Sequence, residues 1–145
     1  MATYQKYKSL IVLSAIFFLS SLACQKQDTS AVPYVPVSIL INIQNSDYSA
    51  LKTVGGYVYV TGGSKGIIVY RSDLNTFKAY DRHCPYQPKN SCSFLKVDVD
   101  AMTTIDTCCT SKFVLQDNSI FSGPSSLKMQ EYATSFDGNI VSINN

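Results

Sequence analysis

From residue 37 onward, short β-rich runs of apolar residues follow one another, some alternating with polar positions and some continuous, and no helix-period segment exceeds about two turns. Period-two alternation rich in Val, Ile, Tyr, Phe and Thr marks strands with one buried face, whereas an amphipathic helix repeats every 3.6 residues. The pattern predicts strands at 37–43, 57–61, 67–71, 77–80, 94–99, 113–115, 127–136 and 139–143. Turn residues punctuate them: Gly55-Gly56, Gly62-Gly63, Asp73-Leu74-Asn75, Asp117-Asn118 and Asp137-Gly138. Asp-Gly between two apolar runs is a strong hairpin signal, because glycine accepts the positive φ of a tight primed turn. The segment 46–51 (SDYSAL) is compatible with one helical turn. Short strands at this spacing predict an all-β antiparallel sandwich or barrel, and no internal repeat is present.

The N-terminal segment has a different pattern. Lys6 and Lys8 precede a mostly apolar run at 10–22, and Ala23-Cys24 closes it. That run is shorter than the roughly 18 residues a spanning helix needs, and its layout is that of a secretory leader. A small residue followed by cysteine is similar to a bacterial lipoprotein cleavage box, although Ser21 stands where that box usually carries leucine. Residues 1–23 are thus read as a lipoprotein-type signal peptide with Cys24 as the lipidated residue; an ordinary signal peptide or an uncleaved anchor is the alternative. Residues 24–36, polar and then proline-containing, read as a tether. The expected location is a bacterial cell envelope, with the domain (37–145) held to a membrane by lipid and facing the periplasm or the cell surface.

Composition narrows the function classes. The 145 residues carry 12 Lys+Arg against 10 Asp+Glu, a net charge of +2. Loss of Lys6 and Lys8 with the leader would leave the two signs balanced. A nucleic-acid partner is therefore not expected, since no charge excess exists to neutralise phosphates. The chain has one His and 5 Cys. No site requiring two imidazoles can be built from a single copy.

Two cysteine-bearing loops break the strand rhythm. The first, 81–93, reads DRHCPYQPKNSCS, and its prolines exclude it from a central strand. The second, 106–112, reads DTCCTSK. Asp81-Arg82-His83-Cys84-Pro85-Tyr86 resembles the first loop of a Rieske iron–sulfur domain, where Cys-Pro-His gives one thiolate and one imidazole. Thr107-Cys108-Cys109-Thr110-Ser111-Lys112-Phe113 resembles the second loop, Cys-Pro-Cys-His-Gly-Ser-x-Phe. The turn at Asp117-Asn118-Ser119 and the Gly123-Pro124 segment are similar to the turn and Gly-Pro loop located after the second loop in that family. Residues 66–70 with 77–81 fit the hairpin leading into the first loop. The resemblance spans roughly 37–143. It implies a Rieske-like fold with a small cysteine-loop subdomain at about 81–126.

The resemblance also implies where ligands would stand. A Rieske [2Fe–2S] centre takes two Cys on one iron and two His on the other. Aligned on Ser111 and Phe113, the four ligand positions hold Cys84, Tyr86, Asp106 and Cys109. Shifting the register so that Cys109 is the second thiolate puts Lys112 at an imidazole position. His83 precedes Cys84 and would point to the opposite side of an extended loop. The expectation is a degenerate domain with no cofactor and no metal, the alternative being a [2Fe–2S] or other metal-binding electron-transfer protein.

Besides Cys24, four cysteines remain, and in an exported chain an even number points first to disulfides, with three pairings open. By the resemblance, Cys92 pairs with Cys108, which leaves Cys84 and Cys109 facing each other as a second candidate bridge. A vicinal Cys108-Cys109 bond and a zinc site drawn from Cys84, Cys92, Cys108, Cys109 and His83 are the other readings. The Cys-x2-Cys spacing that puts two thiolates on one zinc is absent.

Weaker constellations carry bland readings. Asp98 and Asp100 share a strand face and read as solvated; Tyr57 and Tyr59 share another. Gly62-Gly63-Ser64-Lys65-Gly66 lacks the spacing of a phosphate loop and reads as a hairpin turn. Asp81 and His83 suggest a catalytic pair but lack a nucleophile fixed by sequence. Residues 119–126 read as a flap over the cysteine loops. No catalytic residue is assigned, and the expected role is a binding or structural module with a protein partner the sequence does not name.

Overall fold

The computed structural model describes residues 32–100 and 102–145. The leader, Cys24 and most of the tether lie outside the described residues. Among those described, no helix is long and apolar enough to cross a membrane.

Among the described residues, ten strands and one short helix occur in chain order: β1 Ser38–Asn42, a 3-10 helix Ser46–Lys52, β2 Tyr57–Val60, β3 Ile67–Asp73, β4 Thr76–Asp81, β5 Leu95–Val97, β6 Thr103–Asp106, β7 Lys112–Val114, β8 Ile120–Ser122, β9 Glu131–Phe136 and β10 Ile140–Asn144. They form a six-stranded sheet, in the order β1-β10-β9-β4-β3-β2, and a four-stranded sheet, β5-β6-β7-β8. Every pairing is antiparallel. The fold is all-β, as the short β-rich runs and the turn residues between them predict.

The two sheets are nested in sequence. The chain leaves the large sheet at the end of β4, builds the small sheet, and returns in β9 beside the strand it left, with Ala79 opposite Tyr132 and Tyr80 opposite Glu131. Both cysteine loops and the 119–126 segment therefore belong to the excursion between two neighbouring strands.

Alternation in β3 and β4 explains how the sheets stack. Ile67 and Val69 of β3 and Phe77 and Ala79 of β4 face a core with Ile41, Leu51, Tyr132, Val141 and Ile143. The intervening Ile68, Tyr70 and Tyr80 face a second core with Leu95, Val97, Phe113, Leu115 and Met129, supplied by the small sheet and its return segment. A strand apolar at successive positions is buried on both faces, and β3 is buried from Ile67 through Tyr70. Tyr80 closes the second core through its hydroxyl, which donates to the Leu115 carbonyl at 2.9 Å.

Local chemistry sets the turns. Asp137 Oδ1 accepts from the backbone N–H groups of Asn139 and Ile140, and Gly138 takes a φ of 106° in the β9–β10 hairpin. The predicted strand at 127–136 begins only at Glu131, because Met129 is held by Asn118: Met129 N–H donates to Asn118 Oδ1 at 3.0 Å, and Asn118 Nδ2 donates back to the Met129 carbonyl at 3.0 Å. Two strands were not expected. β6 buries the polar Thr103 and Thr104, and β8 is exposed at all three positions, so neither shows an apolar alternation.

Candidate functional site

The end of β4 anchors the first cysteine loop through Asp81, which is fully buried. Its carboxylate accepts from Ser64 N–H at 2.6 Å, Lys65 N–H at 3.2 Å, His83 N–H at 2.8 Å and Tyr132 Oη–H at 2.7 Å. The Gly62–Gly66 loop thus turns the backbone donors of Ser64 and Lys65 inward onto a carboxylate of the same chain. Gly63, at φ 60°, allows this approach; a Cβ there would strike the Asp81 carboxylate and the Tyr132 hydroxyl. Burial, then the hydrogen bond and charge of Asp81, push the Tyr132 hydroxyl well above its ordinary pKa.

His83 is buried and both ring nitrogens are engaged. Nε2 lies 2.6 Å from the Pro88 carbonyl, which can only accept, so Nε2 carries the hydrogen. Nδ1 lies 2.8 Å from Ser64 Oγ. The Asp81 carboxylate meets the backbone N–H of His83 and not its ring, so the sequence-suggested Asp–His pair is a loop anchor. Ser64, 19 residues away in sequence, is the ring's partner, and no local signal marks it.

Arg82 points to the other side, its guanidinium 3.9 Å from the Tyr59 ring centroid and 4.2 Å from that of Phe94. Lys65 Nζ donates to the Ser93 carbonyl at 2.6 Å. These two cations line the cleft beside the Gly62–Gly66 loop, and both brace the first cysteine loop.

The second loop is organised by Asp106. Oδ1 accepts from Cys108 N–H at 2.7 Å and Cys109 N–H at 2.8 Å, while Oδ2 accepts from Phe94 N–H at 3.0 Å. Its main chain closes the same turn, with Thr110 N–H on the Asp106 carbonyl at 3.0 Å. Thr110 sits at φ 62° and Gln87 of the first loop at φ 49°. Both are in the left-handed region that side chains with a Cβ rarely adopt, and the β-branched Thr110 least readily.

A disulfide joins Cys92 to Cys108 with Cα atoms 5.5 Å apart, fastening the two loops together. Cys84 and Cys109 are thiols. Their sulfurs lie 4.0 Å apart, so the second bridge expected between them is not formed. The Cys109 sulfur donates instead to Ser111 Oγ at 3.1 Å, and Ser111 Oγ accepts from Ser125 N–H at 3.2 Å, tying in the 119–126 segment. Gly123 packs on Ser111 so closely that a Cβ there would come within 2.5 Å of the Ser111 Cα.

Cys84 is fully buried in the second core, and Tyr86 and Cys109 pack against that core from its edge. Burial pushes the Cys84 thiol far above its ordinary pKa; the Tyr86 backbone hydrogen bond lowers it in part, and Asp106 and Cys109 each add a smaller raising effect. One ligand atom each from Cys84, Asp106 and Cys109 fall within 4.8 Å of one another. Three of the four positions aligned with Rieske ligands therefore converge, while Tyr86 contributes a phenol where an imidazole is required. The convergent set offers two thiols and a carboxylate that already accepts three backbone hydrogens. It does not fit the two-Cys, two-His requirement of a Rieske centre.

The remaining candidates resolve into structural contacts. Asp98 forms an ion pair with Lys112 at 2.6 Å, which holds its carboxyl below the usual range. Asp100 accepts from the N–H groups of Met102 and Thr103, which lower it likewise. Tyr57 and Tyr59 stack edge to face at 5.6 Å, and Tyr59 Oη accepts from Val97 N–H at 2.9 Å.

No protein-family model matches the chain, and no curated protein matches it. Among solved structures, the ferredoxin of carbazole 1,9a-dioxygenase from Nocardioides aromaticivorans IC177 is similar, with a TM-score of 0.49 and 12% identity, over 77% of this chain and 98% of that chain. A likeness at that level says nothing about chemistry.

Proposed function

We propose that this chain is a membrane-anchored bacterial envelope lipoprotein whose Rieske-like domain no longer binds an iron–sulfur cluster and acts as a binding or structural module. One observation carries the reading: the ligand positions hold Cys84, Tyr86, Asp106 and Cys109, and the only imidazole has both nitrogens committed to Ser64 and Pro88. Internal contacts take the place of a metal crosslink. The Cys92–Cys108 bond joins the loops, Asp106 shapes the second, and Asp81 with His83 pins the first.

The competing reading is metal-dependent electron transfer, favoured by the convergence of Cys84, Asp106 and Cys109. Visible absorption of protein purified without oxygen separates the two. A featureless spectrum is expected, and iron–sulfur absorption overturns the cluster-free reading. Labelling cells with a radioactive fatty acid tests the anchor. Wild type should take up label and Cys24→Ala should not; unlabelled wild type overturns lipidation.

A further inference from the structure

The Cys92–Cys108 bond leaves two thiols, and they face each other from the two loops it joins. The Cys84 and Cys109 sulfurs are 4.0 Å apart. A bond between them requires closure by about 2 Å, a displacement of the size that side-chain rotation makes. The adjoining Cys108 keeps Cys109 on a short leash, so the two loops cannot separate when the pair is reduced.

The two thiols differ in access. Cys84 is fully buried, whereas Cys109 is half-buried at the edge of the core with its sulfur on the Ser111 hydroxyl. The Asp106 carboxylate stands within reach of both sulfurs. Such a set has one thiol that an incoming molecule can touch, a second that the first can reach, and a carboxylate near both.

We propose that Cys84 and Cys109 form a dithiol–disulfide couple that exchanges two electrons with a disulfide substrate, Cys109 being the entry thiol and Cys84 the resolving thiol. Cys109 attacks one sulfur of the incoming disulfide RSSR. A Cys109–S–S–R bond forms, the R–S–S–R bond breaks, and the departing thiolate takes up the proton Cys109 has lost. Cys84 then passes its proton to Asp106 and attacks the Cys109 sulfur. The Cys84–Cys109 bond forms, and the second RS⁻ leaves with the proton from Asp106. The dithiol has lost two electrons and RSSR has become two RSH. The reverse sequence, fed by a reduced thiol, regenerates the pair. Cys84 is fully buried whereas Cys109 is half-buried, which fixes the order of attack.

This couple rests on the cluster-free reading, since iron would occupy both sulfurs. The test uses the full chain in detergent, equilibrated with glutathione at graded ratios of oxidised to reduced form, then alkylated and peptide-mapped by mass spectrometry. The Cys84–Cys109 linkage should rise as a two-electron titration while Cys92–Cys108 stays intact. Cys84→Ser should accumulate glutathione on Cys109, and Cys109→Ser should take up about ten-fold less on Cys84. Absence of the linkage at every ratio overturns the couple, and so does equal glutathione uptake by the two variants. Stoichiometric iron in the starting protein overturns the cluster-free reading itself; iron-free protein that forms no linkage overturns only the couple.

Discussion

Ser64 Oγ lies 2.8 Å from Nδ1 of His83, joining the β2–β3 hairpin loop to the first cysteine loop across 19 residues. The opposite ring nitrogen reaches the Pro88 carbonyl. The imidazole is therefore a strut between three loop segments. His83→Ala leaves both partners unsatisfied and opens a cavity, and should destabilise the domain by about 2–4 kcal/mol. Ser64→Ala removes one bond and should cost about 1 kcal/mol. Urea unfolding of the two variants checks the order.

Asp106 should matter more than its position on a loop suggests. Asp106→Ala strands the donors of three part-buried hydrogen bonds and should cost roughly 3–5 kcal/mol, since bonds to a charged acceptor are the strong ones. Asp106→Asn keeps one acceptor oxygen and should lie between that variant and wild type. Chemical denaturation midpoints test the ranking.

The Cys92–Cys108 bond closes a loop with a sequence separation of 16. In the chain-entropy model, a loop of that size contributes about 3 kcal/mol. Both cysteines are exposed, so a reductant much stronger than glutathione should reach the bond without prior unfolding. Calorimetry of Cys92→Ser/Cys108→Ser against wild type should show the loss, and dithiothreitol should lower wild type to the level of the double variant.

Alkaline pH should unfold the protein through two tyrosines. Burial raises the hydroxyl pKa of Tyr80 foremost, and burial with the neighbouring Asp81 raises that of Tyr132. A raised folded-state value means the native state keeps a proton that the unfolded chain releases above about pH 10. Their contribution is fully present below that pH and is lost as pH rises toward the folded-state values. Each should steepen the decline by about 1.4 kcal/mol per pH unit there. Unfolding free energies measured from pH 9 upward should fall less steeply in Tyr80→Phe and Tyr132→Phe.

The all-β class was legible because short β-rich runs and the turn residues between them are local signals; that β3 is buried on both faces needed the two sheets. The sequence showed the Asp137-Gly138 hairpin for the same reason: Asp and Gly act locally. It also placed the cysteines in two loops. The remainder depended on partners far along the chain. Asp81 and Tyr132 meet across 51 residues, Ser64 and His83 across 19. Thr103 and Thr104 are buried polar residues in β6, satisfied only in the folded sheet, so they gave no apolar signal. The facing of Cys84 and Cys109 came from the resemblance, but their state as separate thiols required the geometry.

Metal content of the purified full chain tests the central claim most directly. Elemental mass spectrometry of protein prepared without oxygen should find iron, zinc and copper far below one atom per chain. About two irons per chain, matched by acid-labile sulfide, would contradict the account, because a [2Fe–2S] centre would then stand where Cys84, Asp106 and Cys109 converge.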